Sequence, residues 1–277
     1  MTAHPPIPAD LARSWILVPP MHRPQLEAAH ASGADVVVYD LEDGTEADNK
    51  KTARAIVAER LPQQPGWVRV NPADTPFWVE DLARLRNCDG LAGVVLAETV
   101  SAAEIDRTAA ALDHRVPVIP LIESAAGLEA IAQIVRARAT LRVAFGVNDF
   151  RRDTGIGGGA LALAYVRSQL VLASHAGGIA APIDGPAPAE AAGDDLAAAV
   201  TLTGEMGMTG KLAVHAEQVA AINTHLSPDA HDVAAAKELI ARLGEGGHNI
   251  TDGSDLPRLA RAKTLLEHAH RFGVDGA

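Results

Sequence analysis

A single cysteine, Cys88, in 277 residues excludes an intramolecular disulfide framework, and nothing points to a zinc site built on thiolates. A reducing compartment, the cytoplasm, is the expected location. Clustered positive charge is also missing. The chain sets 24 Lys and Arg against 35 Asp and Glu, for a net charge of −11, whereas a sequence-independent grip on nucleic acid needs grouped cations against the phosphates. Met1 to Arg13 holds three prolines and no long apolar core, so neither a signal peptide nor a membrane span is expected there. There is no GxSxG elbow and no HExxH helix. Gly155-Ile156-Gly157-Gly158-Gly159 lacks the Walker lysine and does not directly follow an apolar run, so it reads as a rim loop rather than a phosphate loop.

What the chain does have is 48% hydrophobic residues, enough for a large core, and eight short apolar runs. These are Trp15–Pro19, Val36–Tyr39, Trp67–Val70, Leu91–Leu96, Val116–Ile122, Leu141–Phe145, Ile179–Ile183 and Leu212–Val214, most of them separated by Ala-rich amphipathic stretches. Strands alternating with helices predict a parallel sheet buried on both faces. At roughly 250 residues for the usual single-domain case, the pattern predicts a (β/α)₈ TIM barrel over residues 1–226. Gly185–Val200, rich in Ala, Pro and Asp, reads as a loop leading into a helix. Residues 227–277 then read as a C-terminal helical extension, able to pack on its own barrel or on a neighbouring subunit. One helix is expected from Ser227-Pro228-Asp229 to about Leu243, and a second opens at Asp255-Leu256-Pro257.

Polar residues stand where the runs stop, on what would be one rim of a closed barrel. Glu123 ends the fifth run and Asp149 follows the sixth. Neighbouring strands place such carboxylates about 4.8 Å apart, where they repel unless a cation lies between them. All-oxygen ligands suit Mg²⁺. The other reading is that each carboxylate caps the helix after its strand. Gly146 permits close backbone approach, and Gly146, Val147 and Asn148 are candidate substrate contacts. Arg69 lies inside an apolar strand, where it needs a partner. Its guanidinium fork suits a substrate carboxylate, or an ion pair with Glu42 or Glu123. In Asp40-Leu41-Glu42-Asp43, Glu42 and Asp43 are placed to hold metal-bound water or to orient Arg69, unless the segment is a solvated loop. His215 reads as a packing or hydrogen-bonding histidine.

Taken together, Arg13-Ser14-Trp15-Ile16-Leu17-Val18-Pro19, Val38-Tyr39-Asp40-Leu41-Glu42-Asp43-Gly44, Val68-Arg69-Val70-Asn71, Ile122-Glu123-Ser124-Ala125-Ala126-Gly127-Leu128 and Phe145-Gly146-Val147-Asn148-Asp149 resemble the citrate lyase beta-subunit-like branch of the HpcH/HpaI aldolase superfamily. The resemblance implies a barrel enzyme, a homotrimer or hexamer, that cleaves or forms a carbon–carbon bond between an acyl thioester such as an acyl-CoA and a 2-oxo acid. It implies Mg²⁺ on Glu123 and Asp149 and the oxo acid's carboxylate on Arg69. CoA-dependent relatives supply a catalytic Asp in a pattern Gly-x-Met-Ile-Asp-x-Pro, of which Gly253-Ser254-Asp255-Leu256-Pro257 keeps the Asp-x-Pro. Asp255 is therefore a candidate general acid/base, with capping of the last helix as its other role.

Two departures bear on the substrate. Leu96-Ala97-Glu98 stands where the family usually has Pro-Lys-x-Glu, and Val214-His215-Ala216 replaces Ile-His-Pro. Arg13 and Arg23, near the first strand, are the cations expected to meet CoA phosphates. The alternatives are a CoA-independent, pyruvate-type class II aldolase, or a non-catalytic ligand-binding or complex subunit.

Overall fold

The computed structural model describes residues 6–274, so the start of the proline-bearing N-terminal stretch lies outside the described residues. Eight parallel strands close into a barrel in sequence order, β1 (Ser14–Val18), β2 (Val36–Asp40), β3 (Gly66–Val70), β4 (Leu91–Leu96), β5 (Val118–Ile122), β6 (Ala144–Phe145), β7 (Ile183–Asp184) and β8 (Gly210–Ala213). β8 pairs back onto β1 through Trp15 and Leu212. Around the sheet run α1 (Arg23–Ala31), α2 (Lys50–Arg60), α3 (Pro76–Leu85), α4 (Ala102–Ala111), α5 (Ala125–Glu129), α6 (Ile131–Ile134), α7 (Val147–Thr154), α8 (Ala160–Gly177), α9 (Gly193–Glu205) and α10 (Val219–His225). This is the predicted (β/α)₈ architecture. Among the described residues no helix is long and apolar enough to cross a membrane.

The helix starts follow from local sequence. Thr75 accepts from the Trp78 N–H with Pro76 in the first turn of α3, Ser101 and Glu104 form a reciprocal capping box on α4, and Ser124 accepts from the Gly127 N–H at α5.

Three strands, β5, β6 and β7, are shorter than their apolar runs. Ile179–Ile183 yields only the end of the run, because Pro182 has no N–H to donate and the Ala181 carbonyl accepts from Arg142, while the Pro182 carbonyl is shared between Arg142 and the Thr209 N–H. β6 and β7 therefore meet at a single register pair, Ala144 with Ile183. Arg142 is fully buried at the N-terminal end of the barrel. Its guanidinium also donates to the carbonyls of Ala9 and Ala12 and to the Thr209 hydroxyl. The Ala-rich end of the Gly185–Val200 segment is helix α9 rather than loop, with Asp194 and Asp195 in its first turn, where carboxylates favour a helix N-terminus.

Pro8–Asn223 forms one compact unit and the chain from Thr224 onward belongs to a second. The second unit carries α11 (Ala230–Leu243) and α12 (Asp255–Arg271). Asp229 caps α11 by accepting from the Asp232 N–H, so Pro228 precedes the cap instead of occupying the first turn.

Arg142→Met should lower the unfolding free energy by about 3 kcal/mol or more, since it strips buried carbonyls of their donor while leaving the volume nearly filled. Chemical denaturation of the purified protein measures this directly.

Candidate active site

The C-terminal rim is organised from β2 and β3, where Asp40 stands in register with Arg69. Arg69 donates through Nε to Asp40 Oδ1 at 2.8 Å and through Nη2 to Oδ2 at 2.6 Å. Its Nη1 lies 2.9 Å from Glu42 Oε2. Burial would raise the Asp40 carboxyl, but the Arg69 contact and the N–H groups of Glu42 and Gly44 hold it below the usual carboxylate range. Arg69 therefore carries the ion pair expected with Glu42 and a stronger one with Asp40. Three of its five N–H donors are spent, and the two left are on Nη1 and Nη2.

Beneath this pair runs a network with no obvious signal in the sequence. Lys50, buried at the start of α2, donates to the carbonyls of Leu41 and Glu42 and to Asn71 Oδ1. Asn71 in turn donates to Leu41 O and to Asp81 on α3, and Arg54 closes the chain on Asp81. The loop carrying Glu42 is thus clamped by Lys50 of α2 and by Asn71, which Asp81 of α3 holds in turn. Glu42 itself is pushed up to about 7, mainly by burial and against the pull of Arg69. Asp43 beside it is exposed.

Glu123 lies at the end of β5 with only 5% of its surface exposed. Its Oε1 accepts from the Glu98 N–H at 2.6 Å, a contact aided by the positive φ of 47° that turns Glu98. A Cβ on Gly146 would lie 2.4 Å from Glu123 Oε2, so glycine is required for the carboxylate to rest on that backbone. Burial pushes the Glu123 carboxyl up to about 8, the Glu98 N–H and Arg69 oppose this, and the charges of Asp149 and Glu42 add to it.

Asp149 is the third residue of α7 and pairs with Arg152 at 2.9 Å, its side chain 24% exposed. Neither carboxylate caps a helix, because Ser124 takes that role for α5 and α7 starts at Gly146 with no side-chain cap. A buried carboxylate facing two further acids, with no ion pair of its own among the described residues, fits a hard divalent cation held by oxygen. Val147 and Asn148 form the first turn of the same uncapped helix.

Other predicted residues lie elsewhere. Arg13 precedes β1, at the opposite end of the barrel, and its Nε and Nη2 grip Asp35 at 2.9 and 2.8 Å. That corrects its assignment to CoA phosphates. Arg23 opens α1 on the rim side, exposed and paired with Glu27. Asp255 begins α12, where its carboxylate accepts from the N–H and hydroxyl of Thr251, which hold it below its ordinary value. The structure shows it as a brace for its own loop. Asp184, at the end of β7, faces Arg167, Lys211 and Thr203 rather than the metal-type pair.

An eight-stranded parallel barrel with a buried acid on its C-terminal rim that has no ion pair among the described residues has the layout of a barrel enzyme. The model of the HpcH/HpaI aldolase/citrate lyase family matches residues 13–216, and that of the HpcH/HpaI aldolase C-terminal domain matches residues 231–273. The chain belongs to the HpcH/HpaI aldolase/citrate lyase family, whose members include carbon–carbon lyases. It is 32% identical to a citrate lyase subunit beta-like protein of Deinococcus radiodurans, over 94% of this chain and 98% of that one. It is 30% identical to an L-malyl-CoA/beta-methylmalyl-CoA lyase of Cereibacter sphaeroides, over 98% of both. The crystal structure of CitE from Mycobacterium tuberculosis with magnesium, acetoacetate and coenzyme A superposes with a TM-score of 0.79 at 25% identity, covering 94% of this chain and 99% of that one.

The raised Glu123 carboxyl sets a sign for stability. Between its ordinary value of 4.5 and about 8, the folded chain holds a proton that the unfolded chain has released, so unfolding free energy falls as pH rises through that window. Without divalent metal, stability should drop on the order of a few kcal/mol from about pH 5 to about pH 8. Glu123→Gln should flatten most of that slope, leaving the smaller contribution of Glu42, as urea midpoints against pH would show.

Proposed function

We propose that this protein is a Mg²⁺-dependent carbon–carbon lyase acting on a 3-hydroxyacyl thioester of the malyl-CoA, citramalyl-CoA or citryl type, with an acyl thioester and a 2-oxo acid on the other side of the equilibrium. The carrying observation is Glu123, a buried carboxylate facing Asp149 and Glu42 without a cation of its own. Glu123 and Asp149 would hold the ion. When bound, Mg²⁺ supplies Lewis-acid polarisation of the oxygen on the carbon where the bond breaks or forms.

The remaining work falls to the chain's own groups. The two remaining N–H donors of Arg69 suit the 2-oxo acid's carboxylate, with the guanidinium held in place by the Asp40 contact. The first-turn N–H groups at Val147 and Asn148 add a second set of donors for substrate oxygen. Glu42, raised to about 7 beside Arg69, is suited to hold or release a proton near neutral pH at Oε1, the oxygen not paired with Arg69, with Asp43 on the solvent side of the same loop. Ala97, where relatives carry lysine, leaves more of the thioester's developing charge to the metal and to backbone donors. Arg23 remains the rim cation available to CoA, and the chain is read as one subunit of a homotrimer or hexamer.

Malyl-, citramalyl- and citryl-CoA, with and without Mg²⁺, form the first assay panel. Turnover should require the metal and fall on the order of 1000-fold in kcat/KM for Asp149→Ala, comparable to loss of a principal charge-stabilising group. Arg69→Lys should raise KM for the 2-oxo acid in the condensation direction, because an ammonium cannot reproduce the fork that grips Asp40 while still reaching substrate. Cleavage of free 4-hydroxy-2-oxo acids with no turnover of any thioester would instead identify a CoA-independent aldolase.

A further inference from the structure

A cavity of about 410 Å³ opens on the same rim, between the start of α8 and the loop after β7, with an apolar lining into which a few charged groups are set. Its floor is built from two buried cations. Arg167, on α8, has a side chain 8% exposed and Lys211, on β8, one 3% exposed, and both pair with the single carboxylate of Asp184 at 2.9 and 3.0 Å. Lys211 is saturated, with Gly185 O and Thr203 Oγ1 taking its other donors. Arg167 is not. Its guanidinium lies 5.8 Å over the Phe145 ring and only its Nε donates a hydrogen bond, so among the described residues its Nη groups meet no hydrogen-bond acceptor.

Two further features converge on the cavity. Ala160 opens the 18-residue helix α8, whose N-terminus has no side-chain cap and no acid in its first turn. The positive end of its dipole is therefore uncompensated. Arg151 reaches in from α7 over Gly158, where a Cβ would lie 2.9 Å from the guanidinium carbon, and it too has no ion pair among the described residues. Glu190 is an exposed carboxylate in the lining. The balance within the cavity is three cations and a helix N-terminus against Asp184 and Glu190.

We propose that this cavity binds a phosphate group, with Arg167 Nη, Arg151 and the first-turn N–H groups of α8 as its donors and Lys211 as a fixed charge behind them. A tetrahedral oxyanion matches donors arriving from a helix end and two guanidinium groups, and the volume admits a phosphate with part of the molecule that carries it. The phosphate has two possible sources, the ribose 3′-phosphate of a CoA thioester or a free phosphorylated metabolite. Val147 and Asn148 also line the cavity, so it adjoins the lyase site proposed above, while its phosphate donors are separate from Glu123 and Asp149 and phosphate binding is read without turnover.

Titration calorimetry with inorganic phosphate on the metal-free full chain at low ionic strength tests this, beside Ala160→Asp and Arg151→Ala. An aspartate at the first position of α8 favours the helix dipole and repels an anion, so Ala160→Asp should keep or raise Tm while weakening phosphate binding by about tenfold or more. Arg151→Ala, at an exposed position, should weaken binding without unfolding the chain. With the 3′-phosphate as source, wild type binds CoA more tightly than 3′-dephospho-CoA and Ala160→Asp erases that difference. With free phosphate as source, the two cofactors bind alike while phosphate still binds. No phosphate binding by wild type, or binding untouched by Ala160→Asp, overturns the proposal.

Discussion

The rim depends on the contact between Arg69 and Asp40. A guanidinium inside a parallel strand is tolerated only with a partner in reach, and the register of β2 against β3 sets Asp40 directly opposite it. From that pair the rest of the β2 loop takes its place. The Asp40 carboxylate accepts from the Glu42 and Gly44 N–H groups and its carbonyl from the Thr45 hydroxyl, while Arg69 O accepts from the Leu41 N–H. Glu42 is thereby delivered to the free side of the guanidinium. Lys50, Asn71, Asp81 and Arg54 extend the same network outward to α2 and α3, so the helical layer braces a loop it does not itself contain.

Three groups of acids lie around the C-terminal half of the barrel, and they differ in how their charge is answered. Asp40 has Arg69, and Asp184 has Arg167 and Lys211. Among the described residues Glu123 has one backbone N–H and the field of Arg69. A protein selected only for stability gains nothing from desolvating that carboxylate beside two others. That imbalance is the physical reason to read this corner of the barrel as the reactive one.

Much of this was legible in the chain. Eight apolar runs with polar ends forecast the barrel, and Arg69, Glu123 and Asp149 were visible as charged residues at strand ends. Less visible were Lys50, Asp81 and Arg167, because a charged residue on a helix is usually solvated and only closure of the barrel turns these inward. Glu98 contributes through its backbone and an unusual φ, which no side-chain pattern announces. The caps were also ambiguous until Ser124 was seen to hold α5. Arg13 was misread for a simpler reason: a residue preceding a parallel strand lies at the end of the barrel opposite the residues that follow it.

The seam between β6 and β7 has a consequence for how the molecule opens. With one register pair there, where other neighbours have two to five, backbone hydrogen bonding supplies little of the closure. The side chain of Arg142 stitches that gap from below, reaching the N-terminal segment, the approach to β7 and Thr209 before β8. Local unfolding free energies follow the density of such contacts, so amide exchange should be fastest along this seam and slowest between β1 and β4. The barrel is in this sense a sheet curled shut across one thin seam, where two backbone bonds, Ala180 N–H to Leu141 O and Ile183 N–H to Val143 O, share the fastening with a buried guanidinium.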